Sequence, residues 1–202
     1  MKKCTIIGKT NVGKTLFLIN FAGYLGLKFL DISLCDDKKI LKKYKLSINQ
    51  AIYELVNDQT HKTRCLQSII VDVPMGKGKK KLQLIDTVGL IDGIHSNIEI
   101  RKAISHTLTI VRVSDIILHI VDAASAGRDE LPSSMGEVDY QLAQFAQLKR
   151  GYAILANKMD LPDAKEGLDK IKSEFSGNLI IPISALHKKG FKEVRTFVAH
   201  NI

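Results

Sequence analysis

Gly8-Lys9-Thr10-Asn11-Val12-Gly13-Lys14-Thr15 fits the spacing G-x-x-x-x-G-K-[ST]. Its glycines let the backbone pass close to a chain of phosphates, and successive N–H groups then form an anion nest. Lys14 can reach the β- and γ-phosphates as a cation, and the Thr15 hydroxyl can ligate magnesium. Asp86-Thr87-Val88-Gly89 adds a carboxylate able to hold the same magnesium through a water. It also adds, at Gly89, a backbone N–H that no side chain obstructs, suited to the γ-phosphate. Loss of that phosphate would release the segment, an order-to-disorder switch.

Asn157-Lys158-Met159-Asp160 selects the base. Guanine presents two donors on one edge, N1–H and the exocyclic amine, and the Asp160 carboxylate can accept both. Adenine offers an acceptor at N1 and no amine at C2. The Lys158 stem can cover the face of the base, and Asn157 is placed to tie this segment to the phosphate loop. Ser184-Ala185-Leu186 would give a backbone N–H to guanine O6, although these three residues alone carry almost no information. The set implies a guanine nucleoside triphosphate and attack of water on its γ-phosphorus.

The elements between the motifs must place them together. Lys3–Ile7 reads as a buried strand entering the loop, and the stretch from Gly13 to Ala22 as the helix leaving it. Ser68–Val73 and Lys81–Ile85 read as two paired strands around a glycine-containing turn. The apolar runs Ile116–Val121, Tyr152–Ala156 and Leu179–Ile183 read as further strands, the first of them central. Helical periods cover Ile98–Arg112, Glu137–Lys149, Ala164–Phe175 and Lys189–Ala199. This alternation predicts an α/β fold, a three-layer α/β/α sandwich with a mostly parallel sheet. The expected organisation is one domain over residues 1–202, with an insertion at 31–59. Within the insertion, Ser47-Ile48-Asn49-Gln50 is a capping-box pattern ahead of a short helix.

Composition narrows the class. The 202 residues are 45% hydrophobic and 25% charged, which suits a folded, water-soluble domain. The absence of an apolar run long enough to span a bilayer predicts a cytoplasmic protein without an integral membrane segment. Cys4, Cys35 and Cys65 lack metal or disulfide spacing and read as reduced thiols. The formal charge of +9 gathers at Lys38–Lys45, Lys77–Lys81 and Lys188–Lys192, which points to a polyanion such as RNA as partner, with no DNA specificity. His119 reads as a hydrogen-bonded core residue and His95 as a surface one.

The motifs together resemble the translation-factor-related P-loop GTPases, in the branch holding the Era, Obg and HflX families. Asp86-Thr87-Val88-Gly89-Leu90-Ile91 and Leu118-His119-Ile120-Val121-Asp122-Ala123 are similar to HflX and Obg. Asn157-Lys158-Met159-Asp160-Leu161-Pro162 is worded as in Obg. The resemblance implies magnesium and, often, service to the ribosome or other RNA. It implies that Thr63, or its rival Thr60, is the switch threonine that ligates magnesium and closes over the γ-phosphate.

The resemblance further implies that Asn11 holds a potassium ion where other enzymes use an arginine finger; the bland alternative is an asparagine that stabilises a tight turn. Leu90 stands where Ras-like enzymes carry the glutamine that orients water, so hydrolysis is expected to be slow without potassium or an activator. Relatives of these families carry additional domains, and the expectation here is a bare G domain. Two functions follow: a GTP-hydrolysing switch acting on ribosome assembly or structured RNA, or a regulatory GTP-binding module of negligible turnover that signals to a protein or membrane-complex partner.

Overall fold

The computed structural model describes residues 1–35, 41–56, 66–87, 89, 98–128 and 136–202. In chain order the elements are β1 (Lys2–Ile7), α1 (Lys14–Tyr24), β2 (Phe29–Cys35), β3 (Leu41–Ser47), α2 (Ile48–Val56), β4 (Leu66–Met75), β5 (Gly78–Asp86), α3 (Ile98–Val113), β6 (Ile116–Asp122), α4 (Ala123–Gly127), α5 (Glu137–Ala146), β7 (Tyr152–Asn157), α6 (Ala164–Glu174), β8 (Ile180–Pro182) and α7 (Phe191–Asn201). The strands form one sheet ordered β3-β2-β4-β5-β1-β6-β7-β8.

The five strands β5-β1-β6-β7-β8 are parallel throughout. Their carboxyl ends therefore open on one edge, and all the motifs lie just beyond those ends. β1 runs between β5 and β6, where the strand order reverses direction; crevices at such points are where open α/β sheets bind ligands.

Both faces of the central strands β1, β6 and β7 are covered, which is why they read as mostly apolar runs. One core joins Ile6, Leu84, Leu118 and Leu155 of the sheet to Phe17, Phe21, Phe191 and Val194 of α1 and α7. The other joins Ile7, Ile117 and Ile154 to Val111, Leu142, Leu168 and Ile171 of α3, α5 and α6. Helix α1 is buried from Phe17 to Ala22, with sheet beneath and helices beside it. Phe191 packs edge-on against Phe17 and Phe21, with ring centroids 5.3 and 5.6 Å apart. Cys4 is buried in the first core, where burial pushes its thiol pKa up and holds the thiol neutral.

Among its described residues, the stretch read as an insertion holds strand as well as helix. β2 and β3 pair antiparallel and extend the edge beyond β4. β2 alternates inward Leu30 and Ile32 with exposed Phe29 and Asp31, the period-2 pattern of a strand with one covered face. β3 is rich in lysine because it is the edge strand, where charged side chains discourage pairing with another chain. The helix expected inside the insertion is α2. Its capping box forms as the sequence pattern requires: Gln50 Oε1 accepts from the Ser47 N–H (3.0 Å) and the Gln50 N–H donates to Ser47 Oγ (3.3 Å). Ser47→Ala should cost about 1 kcal/mol of stability, the usual worth of such a cap. Equilibrium urea unfolding would read this as a lower midpoint at unchanged slope.

Candidate functional site

The phosphate loop leaves β1 at Gly8 and enters α1 at Lys14. Gly13 caps the helix with φ 98°, and a Cβ there would lie 2.5 Å from Asn157 Nδ2. Glycine is thus required twice at this position, for the left-handed backbone and for the approach of the third motif. Val12 is buried and Asn11 is exposed, with φ 61°. Asparagine tolerates that left-handed conformation better than most residues. The Lys14 ammonium turns back to donate to the Lys9 carbonyl. Burial lowers the Lys14 pKa, while the carboxylates of Asp86 and Asp139 oppose that shift.

At the end of β5, Asp86 is 2% exposed, and the Thr15 hydroxyl donates to its Oδ2 at 2.6 Å. The other oxygen, Oδ1, is buried with no hydrogen-bond partner among the described residues. Burial pushes the Asp86 carboxyl up to about 6, against the opposing pull of Lys14 and the Thr15 hydroxyl. An orphaned carboxylate oxygen beside a hydroxyl, both hard oxygen donors, fits a magnesium ion. The next residue is pinned to β1, its N–H and hydroxyl both donating to the Ile6 carbonyl (3.3 and 2.8 Å). Gly89 follows in close contact with the phosphate loop: a Cβ there would stand 2.7 Å from Thr10 Cγ2 and 2.9 Å from the Thr10 nitrogen.

Asn157, at the end of β7, bridges three motifs. Its Nδ2 donates to the Val12 carbonyl at 2.7 Å, and its Oδ1 accepts from the Ala185 N–H at 2.9 Å. Asp160 Oδ1 accepts from the Ser184 hydroxyl at 2.5 Å. That bond, foremost, holds the Asp160 carboxyl below its ordinary pKa, so it is ionised at neutral pH and can accept from two donors. The Lys158 ammonium lies 2.6 Å from Asp122 Oδ2, while Asp122 Oδ1 caps α4 by accepting from the Ser125 N–H. One carboxylate thus starts a helix and fixes the base-side lysine. Ser184 and Ala185 are buried and Leu186 is exposed.

The structure therefore gathers Gly8, Asn11, Val12, Gly13, Lys14, Thr15, Asp86, Gly89, Asn157, Lys158, Asp160, Ser184, Ala185 and Leu186 at one edge of the sheet. Thr63 and Thr60, together with Leu90 and His95, lie outside the described residues. Two supporting residues were missed by sequence reasoning. Asn20, buried on α1, donates to the Ala185 carbonyl at 2.8 Å; a polar residue inside an otherwise apolar helix was its signal. Asp122 was the other, signalled by an acid at the end of a buried strand.

A family model described as "50S ribosome-binding GTPase" matches residues 44–158, which include the Asp86–Gly89 segment and reach Asn157 and Lys158. The chain belongs to this GTPase family. Among curated relatives it is similar to GTPase Obg of Shouchella clausii, at 29% identity over 88% of this chain and 41% of that protein. GTPase Obg of Anoxybacillus flavithermus matches at 29% over 87% of this chain and 40% of that protein. The chain thus spans about two-fifths of the length of these relatives.

Solved GTPases share the fold. Aquifex aeolicus Era bound to GDP·AlF4⁻ superposes over all of this chain and 57% of its own, with TM-score 0.62 and 19% identity. The G domain of the T. maritima FeoB iron transporter superposes over all of this chain and 98% of its own, with TM-score 0.55 and 16% identity. Family membership and fold agree with the expected mostly parallel α/β/α sandwich of a G domain. No described helix is long and apolar enough to cross a membrane.

Proposed function

We propose that the chain binds GTP at the carboxyl edge of its sheet, hydrolyses it to GDP and phosphate, and works as a switch on ribosomal or other structured RNA. The observation that carries the nucleotide reading is the pair of hydrogen bonds made by Asn157, which joins the phosphate loop at Val12 to the base-side segment at Ala185. Lys14 and the loop N–H groups neutralise the phosphates, Asp160 reads the guanine edge, and Gly89 offers its N–H to the γ-phosphate. Thr15, Asp86 and Thr63 hold magnesium, which when bound screens the β- and γ-phosphate charge. Guanine O6 shares the Ala185 N–H with Asn157. Asn11 is the proposed potassium ligand, and with Leu90 in place of a water-orienting glutamine, turnover depends on that ion or on a partner.

The RNA reading rests on charge and on an open sheet face. Lys43 and Lys45 of β3, with Lys79 and Lys81 of β5, stand on the face that carries Phe29 and Ile70, which are 56% and 53% exposed. Lys45 and Lys81 pair across strands with Asp31 and Asp72, leaving Lys43 and Lys79 opposite neutral residues. The Lys45 ammonium lies 5.8 Å from the centre of the Phe29 ring. A cationic face with exposed apolar and aromatic groups suits a phosphate backbone and unstacked bases.

One assay tests these readings together. GTP turnover should rise at least about tenfold when sodium is replaced by potassium, the scale of a stabilising cation at the transition state. It should rise again with ribosomal subunits, and RNA binding should weaken steeply with salt. Equal rates in both salts would remove Asn11 from catalysis. A tight protein partner, with no response to RNA, would favour the regulatory module.

A further inference from the structure

A buried polar chain runs from β7 to the phosphate loop. The Tyr152 hydroxyl lies 3.0 Å from His119 Nδ1, and His119 Nε2 lies 2.9 Å from Asp139 Oδ1. Asp139 Oδ2 lies 3.6 Å from the Lys9 ammonium. His119, Asp139 and Tyr152 are buried, drawn from three elements, β6, α5 and β7.

The network sets the tautomer. A carboxylate only accepts, so His119 Nε2 carries the proton and donates to Asp139. In the neutral imidazole Nδ1 then accepts from Tyr152, whose phenol burial and the Asp139 charge keep protonated. Asp139 thus spends one oxygen on His119 and turns the other toward a cation of the phosphate loop.

Lys9 is held at both ends. Its ammonium faces Asp139, and its carbonyl receives the ammonium of Lys14. The Asp139 charge also acts directly on Lys14, favouring its protonated form in a buried place. We propose that Asp139, oriented by His119 and Tyr152, is a positioning residue for the phosphate-binding lysine, acting through Lys9 and through its own charge. This rests on the reading of the loop as a nucleotide site. It adds that α5 and the core of the parallel sheet set the direction in which Lys14 points.

Lys14 reaches the β- and γ-phosphates, so loss of its positioning should weaken nucleotides that carry those groups and spare one that lacks them. The test is the ratio of GDP to GMP affinity, measured by displacement of a fluorescent guanine nucleotide. Asp139→Asn keeps the shape and the bond from His119 while removing the charge. It should weaken GDP about tenfold, the scale on which a supporting carboxylate tunes a directly bound group, with GMP unchanged. Lys9→Met, at a partly exposed position, should do the same and carries the test if Asp139→Asn does not fold.

The double variant should be no weaker than the weaker single, since both break one chain of contacts. Equal losses for GDP and GMP, additive losses, or variants that bind GDP like the unaltered chain would overturn the inference. Failure of the unaltered chain to bind GDP would overturn the nucleotide reading itself, and this inference with it.

Discussion

Asn157→Ala should lower guanine-nucleotide affinity on the order of 100-fold, and it should destabilise the fold as well. The side chain closes two hydrogen bonds, to the Val12 carbonyl at 2.7 Å and from the Ala185 N–H at 2.9 Å. Asn157, Val12 and Ala185 are all buried, so alanine leaves a backbone acceptor and a backbone donor without partners. Each such group costs about 1–3 kcal/mol, and the two together exceed the net worth of the bonds themselves. Part of that cost appears as reduced stability. The rest appears at the nucleotide, because the phosphate loop and the base-reading loop are no longer held in one register. Calorimetric titration with GDP, beside thermal unfolding, separates the two parts. A variant that binds GDP as the unaltered chain does would show that the loops hold their places without Asn157.

Asp160→Asn should exchange the base preference. The ionised carboxylate of Asp160 can accept from both guanine donors, and the Ser184 hydroxyl keeps one of its oxygens in place. An amide presents one acceptor and one donor, so it opposes the guanine amine and matches xanthine, which carries a carbonyl at that position. Guanine affinity should fall on the order of 1,000-fold, as expected when a site built to satisfy a polar group meets a mismatched one. Xanthosine diphosphate should bind correspondingly better, while Lys14, Thr15 and Asp86 continue to serve the phosphates. Competition between GDP and xanthosine diphosphate on the variant measures this directly. A variant that still prefers GDP would remove Asp160 from base recognition.

Much of the fold was legible because burial leaves a clear pattern. The central strands β6 and β7 are covered on both faces, so they read as nearly continuous apolar runs, and each motif follows the end of a strand. Helix α2 was legible from Ser47 and Gln50, which meet as the capping pattern requires. What escaped were features whose cause is long-range. The lysines of β3 have no strand periodicity of their own, and only pairing with β2 makes that segment a strand. Likewise Asp139, Lys9, His119 and Tyr152 lie far apart in the chain and become one unit through packing. The functional residues of the loops were easier to find than the residues that hold them. Phosphate and base chemistry demand particular side chains at set spacings, whereas a supporting carboxylate can arrive from any neighbouring element.

The most direct test of the central claim is a comparison of GDP and ADP binding to the unaltered chain in magnesium. The contacts of Asn157 and the ionised carboxylate of Asp160 predict tight GDP binding and at least about 100-fold weaker ADP binding, since adenine presents an acceptor at N1 to a carboxylate that can only accept. Comparable affinities for the two nucleotides, or a preference for ADP, would contradict the account.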